Sequence, residues 1–127
     1  MHTTYKANSK ESRALRKKAG IFLKSCRHNA GLTQRELAEL IDIDYYTFIS
    51  QLECGQGRVP PNLYTPLSKA LGVNRTEFTK EMLKYYDPFT YHGLYGIHPY
   101  DEIERDNSQY NTSSDVLNVT NAKQEEC

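Results

Sequence analysis

The residues able to do chemistry in this chain are few, and their spacing excludes more than it offers. Three cysteines, Cys26, Cys54 and Cys127, are odd in number and form no CxxC pair, so they make neither a disulfide framework nor a zinc site. Cys26 falls in an amphipathic run and reads as a small packed hydrophobe. Cys54 would sense redox state only if it were exposed with a lowered pKa. His2, His28, His92 and His98 are too scattered for a ligand set, so no metal and no cofactor is expected. No phosphate loop, nucleophile motif or carboxylate pair occurs in a suitable context, which argues against an enzyme.

What remains is charge. Residues 1–30 hold eight basic groups, Lys6, Lys10, Arg13, Arg16, Lys17, Lys18, Lys24 and Arg27, against the single acid Glu11. The net charge of zero hides an asymmetry. Residues 1–100 carry 14 Lys and Arg against 9 Asp and Glu, while residues 101–127 carry 2 against 7. A basic body with an acidic tail suits a polyanionic partner, although a solvated basic helix face accounts for the same count. No apolar run approaches the roughly 20 residues needed to span a bilayer. The opening MHTTYKANSKESR lacks the apolar centre of a secretory signal. A cytoplasmic location without membrane contact is expected.

The elements that position these groups are helical. Residues 1–11 read as a basic flexible arm. From Ser12 to about Asn29, Leu15, Ala19, Phe22, Leu23 and Cys26 recur at intervals of three and four, predicting an amphipathic helix that Gly31 ends. Thr33 with Glu36 makes a capping box for a short second helix burying Leu37, Ala38 and Ile41. Asp44 is expected to cap a third helix, with Ile43 and Phe48 as a hydrophobic staple and Cys54-Gly55-Gln56-Gly57 as its stop. Arg58-Val59-Pro60-Pro61 reads as a loop. Leu63 to Leu71 is a fourth helix, with Pro66 in its first turn and Gly72 after it. Asn74 and Glu77 open a fifth, lined by Phe78, Met82 and either Tyr85 or Tyr86, which ends before Pro88. The domain is therefore expected to span residues 12–87. Residues 88–100 form an aromatic, glycine-rich extension without a long period, and the acidic residues 101–127 are expected to be disordered.

Two short helices joined by Ile41-Asp42-Ile43-Asp44 make a helix-turn-helix. The pieces AGLTQRELAELI, ISQLECG and SKALGV resemble the Cro/phage-repressor (Xre-like) family, over roughly Arg13 to Tyr86. The resemblance implies an all-α, five-helix lambda-repressor-like fold that binds double-stranded DNA as a homodimer. It implies an ion pair between Arg27 and Glu53, and a third helix that enters the major groove. Two departures stand out. The run from Asp44 to Gly55 is one residue longer than the family spacing, and Asp42 replaces the usual turn glycine, a position aspartate tolerates less well.

A helical wheel at about 100° per residue places Ile49, Leu52 and Phe48 on the buried side, and Tyr45 with them. Tyr46, Thr47, Ser50 and Gln51 fall on the opposite side and are the expected base readers. Anchoring the register at Asp44 would select Tyr45, Tyr46 and Ser50. Anchoring at Glu53 selects Tyr46, Thr47 and Gln51, which the wheel favours. Gln51 suits adenine N6 and N7, while Thr47 and the Tyr46 ring suit thymine methyls. An exposed Tyr46 ring that merely covers the end of the second helix is the bland alternative. Phosphate contacts are expected from Thr33, Gln34, Arg35, Arg58, Lys6, Lys10 and Arg13. Phe89, Tyr91, Leu94, Tyr95 and Ile97, with the fifth helix, are the expected dimer surface. The competing reading is an antitoxin-type interaction module, in which the segment from Pro88 binds a partner protein and the helix-turn-helix autoregulates.

Overall fold

A computed structural model describes residues 10–96; Lys6, Ile97 and the acidic segment 101–127 lie outside them. The described residues form six α-helices and one 3-10 turn: α1 (Lys10–Asn29), α2 (Gln34–Leu40), α3 (Tyr46–Glu53), the turn Pro61–Leu63, α4 (Tyr64–Leu71), α5 (Arg75–Tyr86) and α6 (Pro88–Tyr95). The expected all-α helix-turn-helix fold is present, with one helix more than expected.

Local sequence explains most of the boundaries. The Thr33 hydroxyl accepts from the Glu36 N–H at 3.0 Å, and the Glu36 carboxylate accepts from the Thr33 N–H at 2.9 Å. That closes the expected capping box and satisfies two backbone donors at the start of α2. Asn74 caps α5 by accepting the Glu77 N–H at 2.9 Å. Four helices stop in one way. After α2, the Ile43 N–H reaches back to Ala38 O and the Asp42 N–H to Glu39 O, a paired closure that needs a left-handed residue between them. The same pattern closes α1, α3 and α4 around Gly31, Gly55 and Gly72. Only α2 uses a residue with a Cβ there: Asp42, at φ 64.

The core joins these elements without a gap in chain order. Leu15, Ala19 and Leu23 of α1 meet Leu37 and Ala38 of α2, Ile49 and Leu52 of α3, Leu67 and Leu71 of α4, and Phe78 and Met82 of α5. Tyr85 and Tyr86 are both buried, where the sequence left one or the other. Fully burying each of the leucine, isoleucine, phenylalanine and methionine side chains among these contributes about 1.5–3 kcal/mol. Phe22 lies 5.9 Å from Phe78 and 6.3 Å from Tyr85, centroid to centroid, so α1 and α5 are held by an aromatic cluster.

Two expectations need correction here. Pro88 does not begin an irregular extension; it is the first residue of α6. Asp87 caps that helix, accepting from the Thr90 hydroxyl at 2.6 Å and the Thr90 N–H at 3.3 Å, and Pro88 occupies the helical position where a missing N–H costs nothing. Second, Asp44 does not cap α3. The capping position is Tyr45, in an extended conformation without a side-chain cap bond.

Candidate nucleic-acid interface

The third helix is positioned by charge as much as by apolar packing. Arg27 on α1 donates to Glu53 at the end of α3 through both Nε, 2.6 Å to Oε2, and Nη2, 3.0 Å to Oε1. Its Nη1 donates to Leu32 O at 2.9 Å, just before α2. Gln34 Nε2 donates to Glu53 Oε1 at 3.0 Å. Arg27 and Glu53 are 4% and 1% exposed, so the pair is desolvated and its geometry is enforced. One carboxylate thereby ties α1, α2 and α3 together. The expected ion pair is present, and Gln34 belongs to it. The Gln34 amide is committed to this network and does not simply face outward.

With α3 held there, its two sides separate. Ile49 and Leu52 are buried, Phe48 is half-buried, and Tyr46, Thr47 and Gln51 are exposed; Ser50 is half-buried. Tyr46 is 42% exposed, and the Arg35 guanidinium lies over its ring at 4.9 Å from the centroid. Tyr45 contradicts the wheel. It is 74% exposed, because it precedes the helix at φ −115, ψ 115 and so does not follow helical periodicity. The two adjacent tyrosines both point outward, at the head of a two-helix unit whose turn is Ile41 to Tyr45.

This arrangement agrees with the comparison to known families: a family model described as a helix-turn-helix domain matches residues 13–79. The chain belongs to the helix-turn-helix domain family. No curated protein matches it closely enough to refine that assignment. For a helix-turn-helix protein the functional class is DNA binding, with the second helix of the motif as the reading element.

The basic residues of this helix-turn-helix domain do not form one group. Lys24 is 1% exposed and Arg27 is buried in its pair, so two of the eight N-terminal basic residues do not contribute to an outer face. Lys10 and Arg13 are exposed on α1. That helix crosses the end of α3 at Gly20, where an added Cβ would collide with Glu53 O. Arg13 is seven residues back from Gly20, about 10 Å along the axis. Arg58 donates to Tyr86 O at 2.7 Å and lies over the Tyr86 ring, closing the C-terminus of α5. The Tyr86 hydroxyl accepts the Val59 N–H at 3.2 Å, and burial pushes its pKa up. Arg58 is thus engaged in the fold through one Nη while its residue stays exposed. Thr33 spends its hydroxyl on the cap of α2.

The expected dimer residues divide as well. Phe89 and Leu94 are 51% and 63% exposed, and Tyr95 is exposed beneath Lys80, whose Nζ lies 4.8 Å from the ring centroid. Tyr91 is buried within its own chain, 4.9 Å from the Tyr95 ring, so it does not belong to an outward surface. Cys54 is buried and disulfide-bonded, so it does not meet the condition of an exposed thiol on which a redox-sensing role depended; Cys26 is a free thiol. Among the described residues no cluster of ligands suits a metal, and no helix is long and apolar enough to cross a membrane.

Sequence reasoning missed Gly20, whose missing Cβ permits the α1–α3 crossing. Its only trace was a glycine inside an otherwise strong helical pattern, which marks a close approach as readily as a weak helix.

Proposed function

We propose that this chain is a sequence-specific transcriptional regulator, a homodimeric repressor that binds an inverted-repeat operator through α3 in the major groove. The observation that carries the reading is the exposed row Tyr46, Thr47 and Gln51 on a helix locked by Arg27, Glu53 and Gln34. A reading helix must hold its side chains in register with base edges, and a desolvated three-helix lock supplies that rigidity. Gln51 pairs with adenine, Thr47 meets a thymine methyl, and Lys10 and Arg13 contribute phosphate contacts. The exposed Phe89, Leu94 and Tyr95 of α6 support a two-fold contact between copies.

The same exposed side chains favour a second reading, an antitoxin-type module whose C-terminal segment holds a partner protein. Selection of binding sites from random duplex DNA, titrated with salt, separates the two. A palindromic site whose preference relaxes at one base pair per half-site in Gln51→Ala supports the repressor. Binding that is equally salt-sensitive on every sequence, or absent, favours the partner protein.

A further inference from the structure

Arg35 and Tyr46 stand on different helices, yet the guanidinium of one lies on the ring of the other. Both side chains are exposed, so the contact is made on the outer face of the α2–α3 unit and not in the core. The separation between their backbones is held by the lock beneath them, since Gln34, the neighbour of Arg35, donates to Glu53 on α3. A cation–π contact restrains the guanidinium without a conventional acceptor, so its N–H donors remain available to a hydrogen-bonding partner.

That geometry changes what Arg35 suits. A phosphate contact needs only a mobile positive charge, whereas a planar fork fixed on a second helix matches the paired acceptors O6 and N7 of guanine. The aromatic ring beside it matches the 5-methyl group of thymine or 5-methylcytosine. Successive bases on one strand are about 3.4 Å apart, so a guanidinium and a ring whose centres lie 4.9 Å apart can reach neighbouring base pairs. We propose that Arg35 and Tyr46 form one composite reader that recognises a guanine next to a base carrying a 5-methyl group. The inference rests on the DNA-binding reading above and adds a specificity that Thr47 and Gln51 do not supply.

The test uses the full chain and the site obtained by selection, with Arg35→Ala, Tyr46→Ala, the double variant and Gln51→Ala compared for base preference. Both residues are exposed, and thermal unfolding confirms that each variant is folded. Arg35→Ala and Tyr46→Ala should each relax preference about ten- to hundred-fold at the same two adjacent base pairs. The double variant should lose no more than the larger single. Replacing the thymine by deoxyuridine, which removes only the methyl group, should weaken the wild type and leave Tyr46→Ala unchanged. If Arg35→Ala weakens every sequence equally and lowers the salt slope by about 0.9, Arg35 is a phosphate contact and the composite reader is wrong. Relaxation at two separated positions overturns it too. If Gln51→Ala still relaxes one base pair in those cases, the DNA-binding reading stands alone; if no variant changes any preference, both fall.

Discussion

Arg27 and Glu53 make a two-point ion pair between α1 and α3 that is almost completely shielded from water. The carboxylate also receives Gln34, so removing it orphans donors on two helices. Glu53→Leu should destabilise the fold by about 3–5 kcal/mol in urea denaturation, because it leaves a buried guanidinium uncompensated. The double variant Arg27→Met/Glu53→Leu should lose less than the sum of the singles. Additive losses would mean that the pair is not coupled.

Gly20 and Gly93 form an internal comparison. A Cβ at Gly20 would meet Glu53 O and Leu52 O, main-chain atoms that cannot turn aside, whereas at Gly93 nothing lies within 4 Å. Gly20→Ala should therefore cost about 1–3 kcal/mol or more by forcing α1 off α3. Gly93→Ala, inside α6, should gain about 0.5–1 kcal/mol. Calorimetric unfolding midpoints moving in opposite directions are the expected result.

Asp42 at φ 64 pays a conformational cost that glycine avoids. Asp42→Gly should raise stability by about 0.5–1 kcal/mol, and Asp42→Val should lower it by more than that, since a β-branched side chain fits this region worst. Equal midpoints for the two variants would show that the turn is not held in the left-handed conformation.

Cys26 tests burial by its acid–base behaviour. Burial first, and the charge of Glu81 second, push its thiol up to about 11. The folded state therefore keeps its proton above the ordinary value of 9.0. Its contribution to stability is complete below that value and is lost as pH rises from there through about 11. Alkylation of Cys26 in the native protein should stay slow at pH 8 and accelerate only toward pH 11, while the urea-unfolded chain reacts near pH 9. Rapid native labelling at pH 8 would contradict this placement.

Much of this protein was legible from local pattern. Thr33 with Glu36, Asn74, Gly31, Gly55 and Gly72 marked helix ends because capping chemistry acts over three to five residues. The spacing of Leu15, Ala19 and Leu23 marked a buried face, since helical periodicity is itself local. The α6 helix was missed although Asp87, Pro88 and Gly96 punctuate it, because an aromatic segment with glycine inside has little periodicity to detect.

Tertiary structure decided the rest. Tyr45 looked buried only while the wheel was extended past the start of α3; where a helix begins depends on how the preceding turn packs, and that turn is closed by Ala38 and Glu39. Gln34 and Arg58 looked like groups committed only to solvent or DNA, yet each also has a structural partner, Glu53 and Tyr86, 19 and 28 residues away in sequence. The pairing of Arg35 with Tyr46 likewise depends on the angle between two helices. Sequence alone determined the helical segments α1 to α5 and their apolar faces, because periodicity and capping are local, and only packing decided where α3 begins, which polar side chains are consumed in holding the helices and which are left outward.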